Sequence, residues 1–508
     1  MGKVYETKIE NFTGGISNDP RSTANGVSAM VTNFDIFTDY KRAIPYYSSE
    51  DGDSGSATSQ KQNFAVALRT GTTYSLYGLG VVSGQTYAEV MYKDLTSGAA
   101  NDLDDNAWAS PTANQSSAGA TSFNLFTYYK KTGLIYGARA GTHIWAFSPT
   151  GTAWADTSHA LSYTNICEGL VHSKDDIMYV GYDNNIAKNN NGSWTDIALA
   201  LPSHYYVTAL SEYRDYLAIA VAPLSGYGKS RVYLWDRDSS LTTVSQSIDW
   251  GDGVIKVIEE LDGRLIGISQ AGGAAAAVGA YFDNSVILRV YDGYSAKQFA
   301  KLAGGVNAVT LYQARQKVRN RIYFMMSLRI NGAIRDGVWS VGLSSSGAFA
   351  VSHERTPEND VVLGGILRGF IIAGDYMFIS YTTAGSAFKL SKTDYQSYTA
   401  SSIYESVIFS GGDSGLTKKL IGVTVTTEPL PAAGQVVLKY REDAETTYGT
   451  TIFTHTTDDS ISHDAVNVES TGANLPEYSE IQFRIESTGG AVITGLKFKY
   501  EIIDKAPY

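Results

Sequence analysis

Tyr206-Val-Thr-Ala-Leu-Ser-Glu-Tyr213, Asp215-Tyr-Leu-Ala-Ile-Ala-Val221, Ser230-Arg-Val-Tyr-Leu-Trp-Asp236 and Thr243-Val-Ser-Gln-Ser-Ile248 follow one another in the stretch 205–248. Apolar residues recur at a two-residue period, most plainly in Thr243 to Ile248, and β-branched and aromatic side chains lie between Gly, Asp and Ser turns. That period belongs to strands buried on one face and joined by antiparallel turns. The stretch therefore predicts a four-stranded sheet of about forty residues, the size of one propeller blade.

The unit recurs. An apolar run after a Gly, Asp or Asn turn is found at Thr73-Tyr-Ser-Leu-Tyr, Gly133-Leu-Ile-Tyr-Gly, Asp176-Ile-Met-Tyr-Val, Asp215-Tyr-Leu-Ala-Ile, Gly263-Arg-Leu-Ile-Gly, Asn320-Arg-Ile-Tyr-Phe and Asp375-Tyr-Met-Phe-Ile. The steps between them are 60, 43, 39, 48, 57 and 55 residues. Blades take roughly 40 to 50 residues and loops absorb the rest, so the pattern predicts an all-β protein with a propeller of seven blades, six being the alternative count.

Of the 508 residues, 50 are Gly and 35 Tyr with only 11 Pro, a composition of turn-rich β structure. The single Cys167 excludes an internal disulfide framework and is expected as a small buried residue in Asn165-Ile-Cys-Glu-Gly-Leu170. A net charge of −11 argues against general adhesion to phosphate backbones. Met1-Gly-Lys-Val-Tyr-Glu6 lacks the Ser or Thr of a myristoylation signal and no basic-then-apolar leader follows. The longest lipid-compatible run, Ala271 to Ala280, is half a bilayer span, so no membrane insertion by this chain is expected.

Three regions are expected along the chain: an arm over 1–60, the propeller over 61–397 and a β-sandwich over 398–508. The arm reads as irregular and ends in the solvated loop Ser48 to Ser56. An acidic, Ser- and Ala-rich insertion, Thr96 to Thr121 with Asp102-Leu-Asp-Asp-Asn106 and Trp108, has a composition that packs no core and predicts a surface loop. The last propeller unit, Val361 to Ser391, shows three strands. An open sheet edge is unfavourable, so a strand of the arm, over Arg42 to Tyr47, is expected to complete it.

From Thr399 the strands lengthen: Ile403–Phe409, Lys418–Thr426, Gln435–Tyr440, Gly449–Thr454, Glu480–Ile485 and Ala491–Tyr500, with turns such as Leu430-Pro-Ala-Ala-Gly434. Six or seven strands of clean two-residue period in about 105 residues predict a sandwich.

The arm carries NFTGGIS from Asn11, then Asp19-Pro-Arg21, Asn33-Phe-Asp-Ile36 and Ile44-Pro-Tyr-Tyr47. These words resemble the start of virion structural proteins of tailed bacteriophages, the β-propeller type of tail nozzle, tail hub or head-completion factor. PLPAAGQVVLKYRED and the later EIQFRIES and ITGLKFKYE resemble the C-terminal sandwich of phage structural proteins. The resemblance implies a chain made in the host cytoplasm and placed in the virion tail or neck. It implies partners among adaptor, portal-proximal or tail proteins, a homo-oligomeric ring of six copies, and DNA that passes without specific binding. It also marks Asn11, Phe12, Asp19, Arg21, Phe34 and Asp35 as partner-docking residues.

No catalytic, metal or cofactor residues are predicted. Gly412-Asp-Ser-Gly415 copies the surroundings of a protease nucleophile, but no matching His segment accompanies it, and a turn explains the letters. The seven histidines, 143, 159, 172, 204, 353, 455 and 463, show no ligand spacing. His455 and His463 flank the turn Thr456-Thr-Asp-Asp-Ser460, which reads as a surface hairpin. Asp51-Gly-Asp53 lacks the distal glutamate of a calcium loop. Asn190 to Thr195 matches only the end of a sialidase-type turn, and Arg139, Arg214, Arg231, Arg264, Arg289, Arg315, Arg321 and Arg335 single out no triad. Trp108, Trp154, Trp194 and Trp250 lie near predicted turns and are expected to pack between blades or against a neighbouring subunit.

The expectation is a non-enzymatic structural protein of a phage particle at the DNA exit channel. A receptor- or glycan-binding tail module is the second reading, and a propeller glycosidase the third.

Overall fold

The structure is a computed structural model and describes residues 3–16, 27–52, 59–82, 88–96, 102–103, 108–109, 125–138, 143–150, 154–162, 165–224, 229–240, 243–271, 285–303, 309–330, 333–357, 366–383, 388–412, 414–443, 445–466 and 475–503. No helix occurs among them. Two compact units divide the chain, one of residues 50–338 and 357–393, the other of 1–49, 339–356 and 394–508. The divisions fall inside or just beyond strands, including Tyr47–Asp51, Ala333–Leu343 and Phe388–Tyr398.

The first unit is built from small antiparallel sheets taken in chain order. Residues 59–94 give three strands, and 126–160, 166–200, 205–251 and 254–303 give four each, every strand pairing with the next. A sixth sheet starts with Val309–Val318 and Arg321–Ile330, and a seventh runs Ile366–Ala373, Tyr376–Thr382, Phe388–Tyr398. The first strands of successive sheets touch all the way round, and that of the seventh, Ile366–Ala373, touches that of the first, Ser59–Thr70. A cycle of seven radially packed sheets is a seven-bladed β-propeller.

All seven sequence markers are second strands of blades, from Thr73–Val82 to Tyr376–Thr382. Each turn before them holds a residue at positive φ: Gly71, Gly133, Asp176, Arg214, Asp262 with Gly263, Arg319 and Gly374. Tight hairpins need that left-handed geometry to match strand twist, which is why Gly and Asp punctuate the repeat.

Tyr47–Asp51 is the fourth strand of the seventh blade. The expected closing segment, Arg42 to Tyr47, is thus displaced towards the C-terminus. Pro45 has no N–H to donate, and Ile44–Pro45 pairs instead with Phe34–Asp35, so the blade ladder begins after it. In the fourth blade the last strand is Gln246–Gly251, because Ile248 and Trp250 carry the buried side chains. The acidic insertion also departs from expectation. Its Leu103 and Trp108 are buried with Leu76, Ile371 and Phe378, and Ala109 bridges Tyr92 at the edge of the first blade.

In the other unit two sheets face each other. One orders Val4–Ile9, Ile493–Ile502, Lys418–Thr427 and Ser462–Val466. The other contains Val27–Thr32, Ser402–Ser406, Ile481–Thr488, Gln435–Glu442 and Thr450–His455. The rings of Phe483 and Phe498, one from each sheet, are 4.9 Å apart at their centroids, and Leu438, Ile485, Val425 and Leu496 are buried around them. Alternate apolar residues meeting between two layers make this a β-sandwich. The arm is therefore not irregular throughout, since Val4–Ile9 and Val27–Thr32 are sandwich strands. The turn at 456–460 is not a hairpin either: its flanking strands belong to different sheets, and it carries the chain across the layers.

Candidate functional site

In each blade the first strand lies nearest the axis, and five of the seven carry one extra residue near their start. The register skips Gln62, Cys167, Thr208, Lys256 and Arg368. In the sixth blade Leu311 pairs Met326 while Arg315 pairs Phe324, which leaves two residues too many in Tyr312-Gln313-Ala314. A bulge unpairs its residue and turns the neighbouring side chains out of the regular alternation. Because the inner strands run in the same sense around the ring, these bulges form one level on the axis.

The enlarged bulge of the sixth blade reaches across the ring. Gln313 Nε2 donates to Thr208 O at 3.0 Å, Arg315 Nη1 lies 2.8 Å from Glu168 Oε1, and Arg315 Nε lies 3.2 Å from Glu259 Oε2. Arg315 also donates to the carbonyl of Leu210, whose N–H donates to Glu168 Oε2 at 2.7 Å. Four blades meet in one polar knot. Burial alone would lower the Arg315 pKa, but the two carboxylates more than offset it and the guanidinium is held charged. Burial pushes Glu259 up, against the pull of Arg315. Lys256, whose ammonium donates to Leu311 O at 2.9 Å, is lowered by burial.

Beside this knot is a cavity of about 460 Å³ whose walls come from six of the seven inner strands. Phe64, Phe126 and Phe370 supply apolar wall; Asn63, Thr127, Tyr312, Lys317 and Arg368 supply polar groups. Arg368 Nε donates to Thr382 Oγ1 at 3.2 Å, and burial lowers its pKa. Burial raises the Tyr312 hydroxyl to about 12. The Asn63 amide nitrogen is buried with no partner among the described residues.

No family model matches this sequence. No curated protein matches it either. Among solved structures, the β-propeller domain of Cps50 (Swd1) of Myceliophteria thermophila is similar at 9% identity and a TM-score of 0.41, over 65% of this chain and 96% of that one. The propeller assignment stands on the closed order of the seven sheets.

Of the residues marked for docking, Asp19 and Arg21 lie outside the described residues. Phe12 and Phe34 are fully buried within the chain, Phe12 edge-on to Tyr404 at 5.2 Å. Asn11 donates to Ser345 Oγ at 2.9 Å and accepts from the Thr13 N–H. Asp35 caps its own turn through the N–H groups of Phe37 and Thr38. Among the described residues, the structure does not gather Asn11, Phe12, Phe34 and Asp35 into one exposed patch.

Cys167 is a buried free thiol, pushed up by burial, and lines the cavity. Trp250 is buried between the fourth and fifth blades, Trp108 donates to Gly52 O at 3.1 Å, and Trp194 stacks on His159 at 4.6 Å; the Trp154 side chain lies outside the described residues. His159 accepts or donates at 2.6 Å to Asp196, and His172 meets Arg237 at 3.1 Å. Among the described residues no group of three or more His, Cys, Asp or Glu is placed to hold a metal ion. Sequence reasoning named Arg315 without distinguishing it and passed over Arg368. A bulge shifts the alternation by one, so no periodic signal points at either.

Proposed function

We propose that the chain is a structural component of a tailed-phage particle, a ring-forming nozzle, hub or head-completion protein around the DNA exit. The observation that carries this reading is the placement of the words that resemble phage propeller proteins. Phe12 is buried on Tyr404, Gly15 sits at φ 72° where a Cβ would lie 2.8 Å from the Val351 backbone, and the Tyr46 N–H donates to Asn33 O at 3.0 Å. Ile44-Pro-Tyr-Tyr47 then leads into the strand that completes the seventh blade. Among the described residues the likeness thus falls on residues that are packed within the chain or lead into the closing strand, as an architectural signature does. A net charge of −11 suits a wall past which a polyanion moves without being retained.

The glycosidase reading is weaker on the axis, because Glu168 and Glu259 are both bound to Arg315 and neither is free to act as acid or nucleophile. The decisive experiment is cryo-EM with peptide mass spectrometry of tailed particles from the source of this sequence. Density for a ring of this propeller at the tail or neck is the expected result. Particles that lack the chain's peptides overturn the reading.

A further inference from the structure

The unspent hydrogen-bonding capacity of the axial cavity is one-sided. Its lining holds three cations, Arg315, Lys317 and Arg368, against two carboxylates, Glu168 and Glu259. Arg315 is shared between those carboxylates, and Lys317 is exposed at the rim. That leaves Arg368. Its Nε is anchored on Thr382, which fixes the guanidinium plane and leaves the Nη edge as a fork of donors. The bulge that exposes Arg368 to the axis is a feature of strand geometry found beside binding sites.

We propose that this cavity binds a small carboxylate-bearing polar molecule, an acidic sugar of the uronate kind, with its carboxylate on the Arg368 fork. The volume of about 460 Å³ is within the range of small-molecule sites, and Phe64, Phe126 and Phe370 are among the residues that line it. Planar bidentate pairing is what distinguishes an arginine site for carboxylate from a general positive patch. This inference is independent of the virion reading; a phage ring with an empty axis and a sugar-binding protein outside a virion both remain separable outcomes.

The test is calorimetric or NMR titration of the full chain with sodium glucuronate and, separately, with neutral methyl glucoside. Glucuronate binds and the glucoside does not. Arg368→Met weakens glucuronate binding by about tenfold or more, the scale of one charge-assisted pair. Lys317→Glu, at an exposed position, reverses a charge at the rim and serves if the first variant fails to fold. Loss of affinity in either folded variant supports the site. Absent binding of glucuronate, equal binding of both sugars, or undiminished binding in the folded variants overturns it.

Discussion

Arg315 and Glu168 meet at 2.8 Å although they stand on the sixth and third blades, as far apart as a ring of seven allows. The Arg315 side chain is 7% exposed, so the contact is a buried ion pair, and the knot it forms ties inner strands that share no ladder.

Removing one member of such a group costs far more than the group contributes, because the partners stay buried and unpaired. Arg315→Met is expected to destabilise the protein by roughly 3–5 kcal/mol in urea unfolding. Adding Glu168→Gln and Glu259→Gln to it should recover much of that loss. A single-variant cost below about 1 kcal/mol would show that the knot is not a closed buried network.

Gly267 lies where a Cβ would come 2.4 Å from the Trp250 ring. The bulky indole fills the wedge between the fourth and fifth blades only because its neighbour has no side chain. Gly267→Ala should therefore cost about 1–3 kcal/mol through overpacking, with a red-shifted tryptophan emission from a displaced Trp250. Unchanged stability and emission would count against this packing.

The strand Tyr47–Asp51 is held by ladder pairing in the seventh sheet, by the Gly52 N–H on Leu390 O at 2.8 Å and by Trp108 on Gly52 O. A protease site placed between residues 52 and 59, once cut, is expected to leave the N-terminal fragment bound through gel filtration. Release should need denaturant. A fragment that falls away in native buffer would mean that this strand does not close the blade.

His463 is buried between the sandwich layers, its Nε2 3.0 Å from Thr427 Oγ1 and its ring 5.1 Å from that of His455. Burial, then the His455 charge, lower its pKa, opposed by Asp464. A histidine with a lowered folded pKa binds fewer protons than the unfolded chain. Its contribution is present above about 6.5, the unfolded value, and is lost as pH falls from there through the folded pKa. Thermal stability should drop between pH 7 and 5, and His463→Gln should flatten that part of the profile. A wild-type profile without the drop rejects the assignment.

Much of the architecture was legible beforehand. All seven blade markers, and six of the sandwich strands, follow from alternation and turn residues, which act over a few neighbours. The arm was misjudged because Val4–Ile9 and Val27–Thr32 gain their partners from residues more than three hundred positions away, Ile493–Ile502 and Ser402–Ser406. Leu103 and Trp108 were hidden by an acidic surrounding whose average composition says nothing about two side chains that fold back.

The order of elements, the strand character and the punctuation by Gly and Asp were settled by the sequence alone, since each depends on local backbone sterics and on which face of a short strand is apolar. The closing strand, the level of bulges and the union of Arg315 with Glu168 and Glu259 were decided only in three dimensions. An extra residue in a ladder is invisible to a period-2 pattern, and a ring brings together side chains whose separation along the chain carries no information about distance.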